Sequence, residues 1–408
     1  MATDSSNKVP NVPPLRFPEF TGEWKLSTIG DECDILCGYA FDGKDILEKS
    51  GDVLLMRGIN IAEGYLRHSE DLDRFYSGPK EKLAKYVVRT GDVVIGMDGS
   101  KVGRNAATVT PKEDGAYLVQ RVCRLRSNKT NMRLLIQYIN NPKYYKYVDA
   151  VKTASAIPHI SQTDIQKFSV YLPTSKQEQD KIGNLLSFID ERIATQNKII
   201  DKLQSLMSGI VVSHFNSCNT KSTISIKDLG EAYSVGNLSK DDLSEEGKPC
   251  ILYGELFTTY GCVACEVQNR TNKYAQATLS RAGDLLFPAS TTVDAISLIA
   301  PTSLQTDGVY VAGDMFGIHI SPQYKSEYIS YLLNYVYNRK LSKYAQGSTI
   351  IHLHYADVKN ATIQVPCLEE QNKCAGLLEA LQTKLDIAKQ LIDCYQTQKS
   401  YLLQRMFI

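Results

Sequence analysis

The stretch from Pro173 to Phe215 reads as one long helix, and the same stretch occurs a second time in the chain. It opens Pro173-Thr174-Ser175-Lys176-Gln177-Glu178, in which Ser175 and Glu178 have the spacing of a capping box at a helix start. Apolar side chains then fall at Leu186, Ile189, Ile193, Ile200, Leu203, Met207 and Ile210, with Gln196 in the one gap. Steps of alternately three and four are the seam of a coiled coil, narrower than the apolar stripe of a helix lying on a globular core. No Pro interrupts the run, so about 40 residues at roughly 1.5 Å each give a rod of order 60 Å. A rod of that length with so thin an apolar face needs a second rod against it.

The second rod lies between Pro366 and Ile408. There Leu378, Leu381, Leu385, Ala388, Ile392, Tyr395, Lys399 and Leu402 repeat the seam 192 positions later, with Lys399 as a polar interruption. Polar residues repeat as well: Glu370-Gln371 answers Glu178-Gln179, Lys373 answers Lys181 and Asp393 answers Asp201. Unrelated coiled coils would share the heptad but not these, so the chain is an internal duplication. Its expected order is an N-terminal tail over 1–14, a globule over 15–173, a helix over 174–216, a second globule over 217–366 and a second helix over 367–408.

The globules repeat in the same way. In the first, Lys25–Ile29, Val53–Met56, Val93–Ile95 and Tyr117–Leu125 read as strands. Met132–Val151 has helical spacing broken near Asn141-Pro142, and 153–173 reads as a loop and a final strand. In the second, Ile224–Gly230 stands where Trp24–Gly30 stood, and Arg281-Ala-Gly-Asp-Leu-Leu-Phe287 repeats Arg89-Thr-Gly-Asp-Val-Val-Ile95. Tyr324–Tyr344 repeats the Tyr-rich helix, and His352, Asp357 and Pro366 repeat His159, Asp164 and Pro173. The fold class is therefore α+β: two similar mixed α/β domains and two long helices packed as an antiparallel coiled coil, related by a pseudo-twofold internal repeat. Loops differ far more than scaffold, since Met97–Arg104 and Ala289–Asp294 share hardly a residue. That is the pattern of two modules reading different things, or of ordinary loop drift.

Chemistry is sparse. Gly99-Ser-Lys101 lacks the upstream Gly of a phosphate loop, Asn141-Pro-Lys-Tyr144 lacks the second Pro of an amino-methyltransferase motif, and neither GxSxG nor HExxH occurs. His159 and His352 read as loop caps, and Asp164 and Asp357 as acceptors for loop N–H groups. Ten cysteines form no framework, and Cys262-Val-Ala-Cys265 is half a zinc site. No metal or cofactor is expected on this chain. The absence of a long apolar run and of a signal-peptide core points to the cytoplasm.

Net charge is only +1, yet eight Lys or Arg lie between Arg121 and Lys152 against the single acid Asp149. Either this is a solvated basic face or it tracks a phosphate backbone. Tyr138, Tyr144, Tyr145 and Tyr147 lie in this stretch, and Tyr324, Tyr328, Tyr331, Tyr335, Tyr337 and Tyr344 in its second copy. Part of that set follows core spacing. Candidates for the backbone are Lys143, Lys146, Lys152, Arg339 and Lys343. For base edges they are Arg57, Asn60, Lys101, Arg104 and Asn105, with Ser290, Thr291 and Thr292 in the second globule.

The landmarks together resemble the specificity subunit of type I restriction–modification systems. The resemblance rests on Leu15-Arg-Phe-Pro-Glu-Phe-Thr-Gly-Glu-Trp24, on Gly91-Asp92 and Gly283-Asp284, and on the doubled run from Asp164 to Gln179 and from Asp357 to Gln371. The last part is Leu402-Leu-Gln-Arg-Met-Phe407. Departures are Cys367 in place of a capping Ser or Thr, Lys399 in the seam, and no Gly-Ser before His159 to match Gly347-Ser348. The resemblance implies two target recognition domains that bind double-stranded DNA, each reading half of an asymmetric bipartite site, with the helices as spacer. It further implies two modification subunits and two restriction subunits as partners, carrying S-adenosylmethionine, ATP and Mg2+, with Lys181, Arg192 and Lys202 on the outward faces that dock them. A non-catalytic scaffold joining two protein-binding globules is the competing reading.

Overall fold

The computed structural model describes residues 11–273 and 278–408; residues 1–10 of the expected tail lie outside the described residues. Backbone contacts divide the chain into two units. One runs up to Gln196 and includes Leu391–Ile408; the other is Asn197–Gln390. Two long helices, a central one over Lys176–Ser217 and a terminal one over Leu368–Arg405, each contribute to both. No helix among the described residues is long and apolar enough to cross a membrane.

In the first unit a sheet runs in the order Asp34–Cys37, Val122–Arg126, Val93–Gly96, Ala106–Thr108, all antiparallel. A second sheet holds Val53–Met56, which pairs in parallel with Tyr117–Leu118. Lys25–Thr28 pairs with Ser169–Leu172 and delivers the chain to the central helix. Helices Met132–Ile139 and Pro142–Val151 cover the first sheet, and Asn131 and Asn141 cap them by accepting backbone N–H bonds. Pro142 at the second helix start lacks the N–H that would need a partner there.

The second unit repeats the plan. Gly230–Ser234, Met315–Ile320, Asp284–Pro288 and Thr302–Leu304 form the antiparallel part of one sheet. Lys248–Leu252 pairs in parallel with Tyr310–Ala312 in another, and Lys221–Ser225 pairs with Thr362–Pro366 before the terminal helix. The central strand of each unit starts in the same turn. Gly91 and Gly283 sit at φ +92 and +89, where a side chain would be strained, and the next residue's carboxylate accepts the N–H of the Arg three positions earlier. Those bonds are 2.7 Å for Asp92 and 2.9 Å for Asp284.

Both long helices are held at their starts by one buried glutamine. Gln179 donates to the Pro173 carbonyl at 2.9 Å and accepts from Asn131 N at 3.1 Å. Gln371 donates to Pro366 O and accepts from Lys325 N, each at 2.8 Å. Strand end, Tyr-rich helix start and long helix are thereby pinned together twice. The expected capping box is only half made: Ser175 Oγ accepts from Glu178 N at 3.4 Å, but the Glu178 carboxylate turns away. It is 1% exposed and takes Arg16 Nε and Nη2 at 2.7 and 2.8 Å and the Trp24 indole N–H at 3.2 Å.

Within each unit the two helices run antiparallel. In the first, Leu186 shares a core with Leu402, Met406 and Phe407, and Lys399 Nζ meets Asp190 at 2.5 Å. The charge that interrupts the seam is thus paired inside it. In the second, Met207, Val211 and Phe215 share a core with Leu378, Leu385 and Cys374. Leu186, Ile189, Met207, Leu378 and Leu385 are buried; Ile193, Ile200, Leu203, Leu381, Ile392, Tyr395 and Leu402 are half-buried.

Three expectations need correction. Tyr117–Leu125 is not one strand, because Arg121 at φ +67 breaks it into Tyr117–Leu118 and Val122–Arg126. The loop 153–173 contains a helix, Gln162–Lys167, whose start is boxed by Ser161 and Asp164. The basic stretch is not one continuous exposed face: Arg124 is buried and Arg126 and Lys152 are half-buried, while Arg121, Lys129, Arg133, Lys143 and Lys146 stay exposed. Arg124 is buried against Asp34, Arg126 is bidentate on Asp92, and Arg133 bonds Asn184. Tyr138, Tyr144, Tyr328, Tyr331 and Tyr337 are core.

Replacing Glu178 with Ala is expected to cost about 3–5 kcal/mol, because it leaves the Arg16 guanidinium with only the Thr21 and Gly22 carbonyls and the Trp24 N–H with no acceptor. The equivalent Glu370→Ala removes a half-exposed carboxylate and is expected to destabilise the fold far less. Chemical denaturation of both variants checks the contrast.

Candidate nucleic-acid interface

The same strand ends carry loops that meet in both units. In the first, Val53–Met56 leads into 57–68 and Val93–Gly96 into 97–105, and the segment 153–160 joins them. Ile160 N donates to Met97 O at 3.0 Å, Gly99 N to Pro158 O at 3.1 Å, and Gly64 N to Ala106 O at 2.9 Å. In the second, Lys248–Leu252 leads into 253–261, Asp284–Pro288 into 289–300, and 346–354 joins them. Leu353 N donates to Ala289 O at 2.9 Å, the counterpart of the Ile160–Met97 bond. Ser290 and Thr291 pair with His352 and Ile351.

Each rim exposes apolar side chains, with Tyr65 and Phe257, and Ile157 and Ile350, at matching places. Tyr65 is 61% and Ile157 67% exposed in the first unit; Val293 is 74% and Ile350 51% exposed in the second. Ile59, Tyr253 and Phe257 add to them. These are large apolar side chains left in water at the ends of two equivalent sheets. None of these seven is among the candidates that the sequence offers. The signal that could have found them was the apolar residue in an otherwise polar loop, as in Ala154-Ser-Ala-Ile157 and Gly347-Ser-Thr-Ile350.

The first rim is cationic. Lys101 is exposed, with Nζ 3.9 Å from Glu63. Arg104 is half-exposed, bonded to Asp149 at 2.6 Å, and lies over the Tyr145 ring at 5.3 Å. Lys152 meets the other Asp149 oxygen at 2.7 Å. Lys152 and then Arg104 hold the Asp149 carboxyl below its usual range. Arg121 is exposed with Nη1 3.2 Å from His159 Nδ1, which also lies 3.1 Å from Met97 O. The structure therefore brings Lys101, Arg104, Lys152 and Arg121, the first of the basic stretch, to one rim. Asn105 is half-buried there, its carbonyl accepting from Gly96 N. Arg57 is half-buried and reaches the Leu72 carbonyl. Asn60 is 1% exposed, with its amide bonded to Arg67 O and Asp73. Lys143 and Lys146 are exposed on the helix Pro142–Val151, and Lys143 lies near Tyr138 and Phe407, away from the rim.

The second rim has no Lys or Arg in its three loops and is rich in hydroxyls. Ser290 is buried in its strand pair, Thr291 half-buried and Thr292 exposed. Thr291 and Val293 border a cleft of about 490 Å³ with Phe257, Tyr331 and Gln382. Arg339 and Lys343 are exposed on the Tyr-rich helix, outside these loops. His352 and His354 stack at 6.0 Å. Asp164 and Asp357 each accept a backbone N–H, from Ser161 and His354. Among the described residues the only grouped metal donors are His214, Cys218 and Glu370, on neither rim.

Two equivalent rims with unlike chemistry need a common origin, and sequence comparison supplies it. The model for the type I restriction modification DNA specificity domain matches residues 21–205 and again 219–394.

The chain belongs to that family.

It is 23% identical over 404 residues to the MjaVIII type I restriction enzyme specificity subunit of Methanocaldococcus jannaschii, covering 92% of this chain and 89% of that one. It is 22% identical over 400 residues to the EcoBI specificity subunit of Escherichia coli, covering 90% and 81%. The crystal structure of a type I restriction–modification S subunit from M. genitalium shares the fold, with a TM-score of 0.64 at 15% identity over 97% of this chain and 99% of that one. As a member of the specificity family, this chain is a recognition subunit and not a catalytic one.

Gly103 ties the first rim to its helix. At φ +70 it has Val148 Cγ2 2.8 Å from where a Cβ would stand. Gly103→Ala is expected to cost about 1–3 kcal/mol from the backbone alone, with the added clash deepening it. The expected drop in Tm is measurable by calorimetry.

Proposed function

We propose that each unit reads one half of a bipartite, asymmetric site in double-stranded DNA through its rim of three loops. The observation that carries this reading is the pair of equivalent rims built on one scaffold from different side chains. Protein–DNA contacts divide into those that hold phosphate and those that read base edges. Lys101, Arg104, Arg121 and Lys152 suit the first task on one half-site. Thr291 and Thr292 suit hydrogen bonds or methyl contacts with bases on the other. The two domains correspond to 15–173 and 217–366, and the paired helices between and after them fix the spacer.

Outward faces of the helices suit the docking of modification subunits. Phe188, Leu206, Leu377 and Ile387 are exposed there, whereas Lys181 is already taken by Glu19. Two modification subunits would bring S-adenosylmethionine, and two restriction subunits would use ATP and Mg2+, all in the cytoplasm.

The test is performed on the assembled methyltransferase after its methylated motif has been read from host DNA. Lys101→Ala with Arg104→Ala is expected to weaken one half-site and to reduce the slope of log affinity against log salt by about 1.8, at about 0.9 per phosphate contact. Thr291→Val with Thr292→Val is expected to act on the other half-site and leave the slope unchanged. Equal losses at both half-sites would refute separate reading.

Deleting 193–199 together with 385–391 removes one heptad from each helix while keeping the Asp190–Lys399 pair. The methylated motif is expected to keep both halves with a shorter spacer. An unchanged spacer would show that the helices do not set it.

A further inference from the structure

We propose that His214, Cys218 and Glu370 form a zinc-binding site at the end of the central helix, apart from both rims. His214 and Cys218 are four residues apart, so they rise from one face of the helix end. His214 Nε2 lies 3.3 Å from Glu370 Oε2 and 3.7 Å from Cys218 Sγ. All three donor atoms fall within 4.8 Å of one another. Four-coordinate zinc with bonds of about 2.0–2.1 Å to nitrogen and oxygen and about 2.3 Å to sulfur has edges of roughly 3.3 Å for N···O and 3.6 Å for N···S. The two distances from Nε2 have the length of those edges; Sγ also lies 3.9 Å from Nδ1, so the thiol turns toward the Nε2 lone pair on binding.

The surroundings orient the donors. His214 Nδ1 is 3.3 Å from the Tyr328 hydroxyl, and the two rings meet edge to face at 5.6 Å. With Nδ1–H donating to the Tyr328 hydroxyl, Nε2 keeps the lone pair that faces the site, the usual arrangement of a metal-bound imidazole. Lys373 holds the other Glu370 oxygen at 2.9 Å, fixing the carboxylate with Oε2 inward. Burial and the Glu370 charge push the Cys218 thiol up, and Lys221 and Lys373 partly offset them. Zinc binding releases that thiol proton to solvent, with no change of oxidation state. One thiolate and one carboxylate then balance the 2+ ion, and water completes the fourth position.

The repeat provides an internal contrast. Glu178 answers Glu370 and Met406 answers His214. In that copy there is no imidazole, and Arg16 and Trp24 hold the carboxylate instead. A thiol, an imidazole and a carboxylate favour zinc over magnesium or calcium.

The experiment uses the full chain, stripped with chelator under reducing conditions and titrated with Co2+ as a spectroscopic stand-in. One equivalent is expected to give the d–d absorption of a four-coordinate site and a thiolate-to-cobalt charge-transfer band, both abolished by one equivalent of Zn2+. Cys218→Ser is expected to lose the charge-transfer band, and Tyr328→Phe to weaken binding about tenfold. Cys262→Ser with Cys265→Ser is expected to keep both signals. Matching circular dichroism of metal-free wild type and variants checks that they fold. A wild-type chain with no four-coordinate spectrum, or a band that survives Cys218→Ser or vanishes with Cys262 and Cys265, would overturn the site.

Discussion

Neither core in this molecule is closed by its own stretch of sequence. The first unit is finished by Leu402, Met406 and Phe407, which arrive on the terminal helix and pack with Tyr138 and Leu186. Leu15 N adds a 2.8 Å bond to the Arg405 carbonyl. The second unit is finished by Met207, Val211 and Phe215 from the central helix. Long helices with a thin seam are marginal alone, and most of their stability comes from what that face covers. Here each helix covers its partner for part of its length and a sheet-and-helix core at the end. Separating the helices would therefore open both cores, not merely a coiled coil.

What the duplication keeps and what it changes divide along a physical line. Kept are the groups that satisfy buried backbone: Gln179 and Gln371 under the helix starts, Asp92 and Asp284 in the turn before the central strand, Asp164 and Asp357 at a helix start. A buried N–H without a partner is costly, so these positions tolerate little change. Changed are the partners of a repeated carboxylate and the side chains of the rims. Glu178 is locked by Arg16 and Trp24, while Glu370 shares His214 with Cys218. The rims differ in charge as well as shape, cationic in one copy and hydroxyl-rich in the other.

The helices and the repeat were legible because heptad spacing is a local signal and the polar residues repeat at a fixed offset. Strand positions such as Val93–Gly96 were legible for the same reason, as short apolar runs after Gly-Asp. Basic residues were not sorted correctly, because whether an Arg faces out depends on a partner far away in sequence. Arg124 finds Asp34 and is buried, and Arg126 finds Asp92 and is left half-buried, each across a strand pair. Asn60 is drawn inward by Asp73 and Arg67 within its own loop. The rim itself escaped notice since it forms only when three loops separated by some 40 to 60 residues come together, and no periodicity announces that. The break at Arg121 rests on one left-handed residue without glycine, which composition does not flag.

The closing of the first unit by residues near 406 has an effect on how the molecule is made. Domains usually fold in the order of synthesis, as they leave the ribosome. Here the earlier globule must wait, with the patch around Tyr138 open to water, while more than 200 further residues are added. The half that is translated first is the half completed last, and until then its unfinished face is the point at which a nascent chain would invite a chaperone or a neighbour.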